Sequence, residues 1–184
     1  MDQFLIDKYI AQSKQGDSEA FRKLVEEYRS YVFSLSFRLL CNEDDANDAV
    51  QETFIRVWTH LQSFKSEMRF STWLYKIATN VCYDRIKALK RGNNLISLTL
   101  DDAILLNQPS LENIEAAVIN DELGKIIKFI TNELTPKQKL VFTLRDLEGL
   151  EVDEIVAITG LSPKKIKSNL YCARQYIREK LENI

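Results

Sequence analysis

Apolar residues recur along most of this chain at spacings of three and four, the mark of helices with one buried face. The clearest series is Phe21, Leu24, Val25, Tyr28, Val32, Leu35 and Leu39, a single stripe on one helix. Glycine and proline are sparse, at 5 and 3 residues, so the chain is expected to be all-α. A first helix is predicted from about Gln3 to Gln15, stopped by Gly16. Asp17 or Ser18 caps the second. Asn42 caps a third, with Glu43, Asp44 and Asp45 in its first turn, where the helix dipole favours negative charge. Its expected core residues are Ala46, Ala49, Val50, Phe54, Val57, Trp58 and Leu61. Ser71 is the expected cap of a fourth helix, reaching about Arg91.

The periodicity then stops. Residues 92–111, "GNNLISLTLDDAILLNQPSL", hold no sustained pattern, and so long a stretch reads as a linker of about 20 residues. The chain therefore divides into two small helical domains, 1–91 and 112–184. The second is expected to hold four helices, over about 111–132, 136–147, 151–159 and 163–182, with Thr135-Pro136 as a cap and first helical residue. Its last two follow the helix-turn-helix pattern: a short helix with Ile155, Val156 and Ile158 ends at Gly160, and Ser162-Pro163 opens a longer one.

Charge changes the picture more than composition does. With 45% hydrophobic and 28% charged residues the chain is ordinary for a globular protein, and its net charge is −2. The charge is segregated, however. Residues 65–91 carry Lys65, Arg69, Lys76, Arg85, Lys87, Lys90 and Arg91 against Glu67 and Asp84. Residues 164–180 carry Lys164, Lys165, Lys167, Arg174, Arg178 and Lys180 against Glu179. Two separate basic patches point to two contacts with a polyanion. No apolar run approaches the ~18 residues of a membrane span, and the acidic start "MDQFLIDKYI" is unlike a secretory signal, so the expected location is cytoplasmic. Cys41, Cys82 and Cys172 are odd in number and far apart, consistent with reduced thiols. With His60 as the one histidine, no Gly-rich phosphate loop and no nucleophile–His–acid set, neither a metal, a cofactor nor an enzyme is expected.

Advancing about 100° per residue, the last helix places Ile166, Leu170, Ala173, Ile177 and Leu181 on one face. Lys164, Ser168, Tyr171, Gln175 and Arg178 lie opposite, flanked by Lys167 and Arg174, and this donor-rich stripe suits a duplex major groove. On the fourth helix Leu74, Ala78, Val81 and Leu89 face inward. Lys76, Asn80, Tyr83, Lys87 and Arg91 lie opposite, with Trp73 at the edge of that stripe. Cations interleaved with rings suit single-stranded nucleic acid, since each stacked base contributes ~1–3 kcal/mol. Trp73 fits equally a groove against the third helix. Arg85 points toward the apolar side and is expected to meet a buried acid. On the third helix Asp45, Asp48, Glu52 and Thr59, with Gln51 nearby, form an outer face open to solvent or to a protein.

Three segments, in order, resemble the σ⁷⁰ family of bacterial RNA polymerase initiation factors, and within it the small two-domain extracytoplasmic-function (ECF) group. "DDANDAVQETFIRVWTHLQSF" resembles region 2.2, which binds the clamp helices of the polymerase β′ subunit. "FKSEMRFSTWLYKIATNVCYDRIKALKR" resembles regions 2.3 and 2.4, which melt the −10 element and capture a flipped base. "LTPKQKLVFTLRDLEGLEVDEIVAITGLSPKKIKSNLYCARQYIREKL" resembles region 4, which reads the −35 element. The resemblance implies that Asp45, Asp48, Gln51 and Glu52 face polymerase. It implies that Phe64 and Asn80 shape the base pocket, with residues 65–70, including Lys65 and Arg69, as the loop that selects the base. Trp73, Lys76, Tyr83 and Lys87 would face the strand. Lys164, Lys165, Lys167, Ser168, Asn169, Tyr171 and Arg174 would meet −35 DNA. Family members often carry Arg-Ser-Arg where this chain has Lys167-Ser168-Asn169, which removes two candidate guanine readers. The implied partners are polymerase core, at the β′ clamp helices and β flap, promoter DNA, and an anti-sigma factor, with no membrane insertion. Asp101 and Asp102 would be the acidic part of a linker along the RNA exit path. The rival readings are a stand-alone helix-turn-helix regulator, which binds duplex DNA without polymerase, and a helical interaction protein whose basic faces only solubilise it.

Overall fold

The computed structural model describes residues 2–94 and 133–182, the last six of the first stretch by backbone alone. The expected helix 111–132 and nearly all of the linker lie outside the described residues. Within them every regular element is helical. The first half comprises α1 (Gln3–Lys14), α2 (Ser18–Leu40), α3 (Glu43–His60) and α4 (Phe70–Asn94), with a short 3₁₀ turn at Leu61–Ser63. The second comprises α5 (Pro136–Phe142), α6 (Val152–Thr159) and α7 (Pro163–Glu182).

The local chemistry sets the boundaries. Asp17 accepts the free amides of Glu19 and Ala20 at 2.9 and 3.1 Å, so it, and not Ser18, caps α2. Asn42 accepts Asp45 N–H at 2.9 Å and starts α3. Gly160 ends α6 at φ 69°, a conformation that costs a side-chain-bearing residue more. Thr135 and Gln138 form a reciprocal capping box at α5. The expectation for Ser71 is corrected: α4 begins at Phe70, and Trp73 N–H already bonds Arg69 O, so Ser71 lies inside the helix. At its other end α4 runs through Asn94, so residues 92–94 continue the helix.

Leu24, Val32, Leu35, Val57, Leu61, Leu74 and Ala78 are fully enclosed where α2, α3 and α4 meet. Each such aliphatic side chain larger than alanine contributes roughly 1.5–3 kcal/mol by burial. Trp58 was expected in this core and is instead 39% exposed. It packs beside Phe21 with the rings tilted and their centroids 4.8 Å apart, because its position on α3 lies at the rim of the groove that α2 fills. In the second half Leu140, Val141, Leu144, Ile155, Ile158, Ile166 and Leu170 form the matching interior.

The two interiors are continuous, because α6 packs on α4. Between α5 and α6 the chain makes a π turn, Thr143–Leu147, closed by Glu148 N–H to Thr143 O at 2.9 Å. Gly149 follows at φ 72°. This widened turn delivers Glu148 to the first half.

Candidate nucleic-acid interface

The α4 face is built on an aromatic cluster at the helix start. Phe64 and Phe70 meet edge-on at 5.5 Å, and Trp73 leans on both, at 5.2 and 5.9 Å. Phe64 and Phe70 are 5% and 2% exposed, so they back the cluster without offering a ring to a ligand. Trp73 is half-buried against them, and neither the solvent-facing nor the α3-groove reading describes it fully. Lys76, Asn80 and Lys87 are exposed along the same helix, and Lys65 and Arg69 are exposed on the loop before it. Lys14 donates to Phe64 O at 2.7 Å and lies 5.6 Å above its ring, pinning the loop's start. Tyr83 is half-buried; its hydroxyl donates to Pro136 O at 3.1 Å, and burial pushes its phenol up from the usual value.

On α7 the division is cleaner. Ile166, Leu170 and Ala173 are buried, while Lys164, Lys165, Lys167 and Ser168 are exposed and Tyr171 is 64% exposed. Asn169 is partly turned back, its amide donating to Lys165 O at 2.7 Å. Arg174 makes a two-pronged pair with Asp146 at 2.6 and 2.9 Å, and that hydrogen bonding raises its guanidinium above the ordinary value. Half the Arg174 side chain is in solvent, so the pair is worth only about 0.2–1 kcal/mol. A good base contact at ~1–3 kcal/mol outcompetes it.

On α3 the acids expected to face a protein are partly engaged. Arg85 from α4 bonds Asp45 at 2.7 Å and Asp48 at 2.6 Å, and Asp45 is the larger cause of its raised guanidinium value. Asp45 is partly buried, with 22% of its side chain exposed, and Asp48 is 57% exposed, so the expected fully buried partner of Arg85 is corrected to a half-buried acid and a surface one. Arg56 ties Glu52 at 2.7 Å and Asp84 at 3.2 Å. Gln51 stays exposed, and Ile55, at 59%, and Trp58 continue its stripe at i+4 and i+7. The sequence pattern missed this apolar stripe, although Ile55 lies outside the predicted α3 core and was the available signal.

Among known proteins, the family model for Sigma-70 region 2 matches residues 24–92 and that for Sigma-70, region 4 matches residues 126–177. The ECF RNA polymerase sigma factor SigW of Bacillus subtilis is 31% identical over 194 aligned residues, covering 99% of this chain and 100% of the relative. This chain belongs to the ECF sigma factors. The ECF RNA polymerase sigma-E factor of Escherichia coli is 33% identical, covering 99% of this chain and 97% of its own length. A solved sigma factor RpoE, in complex with the anti-sigma factor NepR from Bartonella quintana, shares the fold at TM-score 0.71 and 24% identity. That match covers 88% of this chain and 96% of the solved one. As an ECF sigma factor the chain binds RNA polymerase core and directs promoter-specific transcription initiation. Among the described residues no helix is long and apolar enough to cross a membrane, and no group of His, Cys, Asp or Glu is placed to hold a metal.

In this sigma factor the two halves are held together by groups that periodicity gave no reason to pair. Glu148, on the turn after α5, accepts from Arg38 of α2 and from the Tyr75 hydroxyl of α4 at 3.2 Å. Burial first, and the Glu148 carboxylate second, push the Tyr75 phenol far above its ordinary range. Lys139 of α5 is 7% exposed and donates to Cys41 Sγ at 2.9 Å. Arg69 lies 3.6 Å from Glu154 of α6. Two −10 candidates, Arg69 and Tyr83, are therefore in contact with the second half.

Proposed function

We propose that the sigma factor divides its work by residue as follows. Residues 1–94 form the polymerase-binding and −10 domain, 95–111 the linker and 112–184 the −35 domain. The α3 stripe of Gln51, Ile55 and Trp58, bordered by Asp45, Asp48 and Glu52, docks on the clamp helices of β′, with Trp58 as its apolar anchor. Lys65, Arg69, Lys76 and Lys87 follow the phosphates of the opened −10 strand. Trp73 and Tyr83 stack on its bases, Asn80 reads the flipped one, and Phe64 braces the pocket from behind. Their combined stacking offsets the few kcal/mol that extruding a base costs. On the −35 duplex α7 lies in the major groove with Lys164, Lys165, Lys167, Ser168, Asn169, Tyr171 and Arg174, and the second half rests on the β flap. Because one tether joins the two contacts, each can be weak alone.

The observation that carries this reading is the pairing, on α4, of exposed Lys76, Asn80 and Lys87 with a half-open indole held by two buried rings. Such a face offers an unpaired strand both a ring to stack on and cations for its phosphates. Since Arg69 and Tyr83 are engaged by the second half, the halves part when polymerase and promoter are bound. An anti-sigma partner binds this factor as NepR binds the solved RpoE, and the factor works in the cytoplasm without catalysis of its own.

Run-off transcription with reconstituted polymerase core tests the reading. Promoter-dependent transcript is expected, and Asn80→Ala is expected to weaken open-complex formation more than core binding. Equal loss of both would assign Asn80 a structural role, and tight duplex binding without core would favour a stand-alone regulator.

A further inference from the structure

The three cysteines occupy different chemical settings. Cys82 is buried, 3.5 Å from Ser36 Oγ, and burial pushes its thiol up to about 11, so it stays protonated at neutral pH. Cys172 is exposed on α7. Cys41 ends α2 in the left-handed region, at φ 57°, and is partly exposed. Across the join between the halves, the Lys139 amine, 98 positions away in sequence and more than nine-tenths buried, reaches its sulfur at 2.9 Å. A thiol open to small oxidants thus faces an amine held at reacting distance across the join between the halves.

We propose that Cys41 and Lys139 are a peroxide-responsive cross-link site that closes covalently between the two halves. In the first step the Cys41 thiolate attacks hydrogen peroxide. An S–O bond forms, the O–O bond breaks, and the oxidant leaves as water after taking up the thiol's proton. The sulfur, oxidised by two electrons, is then a sulfenic acid, a species that condenses with nearby nitrogen. In the second step the Lys139 nitrogen, having released a proton to solvent, attacks that sulfur. The S–N bond forms, the S–O bond breaks, and water departs with one proton from nitrogen. Holding the two groups in contact makes this step effectively unimolecular. A dithiol reverses it: one thiol attacks sulfur and returns the amine, and the second releases Cys41 from the resulting mixed disulfide.

The consequence for transcription rests on the proposed function: a bond between α2 and α5 fixes the closed arrangement in which Arg69 and Tyr83 are occupied. The chemistry is tested on the full chain treated with hydrogen peroxide, digested without reduction and mapped by mass spectrometry. A joined Cys41–Lys139 peptide, lighter than its parts by two hydrogens and lost on dithiothreitol treatment, is expected. Lys139→Arg and Cys41→Ser should abolish it, and Cys172→Ser should not. Oxidation of Cys172 with Cys41 left as thiol, or Cys41 carried to sulfinic acid with no joined peptide, would overturn the proposal. In run-off transcription the oxidised wild type should lose activity and regain it on reduction, while the oxidised Lys139→Arg variant keeps it. A joined peptide with undiminished transcription would overturn the locking role. A reduced protein that never supports transcription would instead overturn the reading on which that role rests.

Discussion

The helices α4 and α7 carry similar charge, and the proposed function gives them opposite jobs. On α7 one face is buried, by α5 and α6, and the cations opposite it stand in solvent. α4 is covered from three directions, by α2, α3 and α6, and Lys76, Asn80 and Lys87 emerge through what remains. Tyr75, Thr72 and Thr79 are sealed along with the expected Leu74, Ala78 and Val81. A duplex reader needs only outward donors on a rigid rod, because the duplex supplies the shape. A strand binder must present a ring face at a fixed place, so its aromatics have to be wedged, as Trp73 is against Phe64 and Phe70.

The comparison is broken most strongly from the inside. Leu74→Ala and Ile166→Ala each empty a fully buried site, and each should cost about 2–5 kcal/mol in urea unfolding. Ile166→Ala should remove −35 duplex binding and spare core binding. A loss in core binding as large as that in duplex binding would mean that α7 is not an independent reader. Next in size is the join between the halves. Glu148→Ala leaves Arg38 and Tyr75 without their shared acceptor, which should cost about 1–3 kcal/mol and enlarge the particle in small-angle scattering. Unchanged scattering would show that apolar packing between α4 and α6 holds the halves without it. The smallest effects separate the two binding modes. Trp73→Ala should weaken capture of a single-stranded −10 oligonucleotide by the polymerase complex by about 1–3 kcal/mol and leave −35 duplex affinity untouched. Lys167→Ala should do the reverse, lowering the salt slope of duplex binding by about 1. If either substitution affects both readouts alike, α4 and α7 are not the separate instruments described.

The sequence by itself determined the helices and most of their faces. Asp17, Asn42, Thr135 and Gly160 set boundaries through hydrogen bonds or a left-handed turn spanning a few residues, and such local chemistry is fully written in neighbouring positions. The outward cations of α7 followed from its period, since one buried face leaves the other free. The ordered motifs carried the family as well. What only the tertiary structure decided involves groups brought together from far apart. Arg38 meets Glu148 across 110 positions, Lys139 meets Cys41 across 98, and Arg85 finds Asp48 across 37. The exposure of Trp58 and the half-burial of Trp73 belong to the same class. A helical wheel gives each residue an angle but not the width of the groove it meets, and that width is fixed by which helices pack beside it.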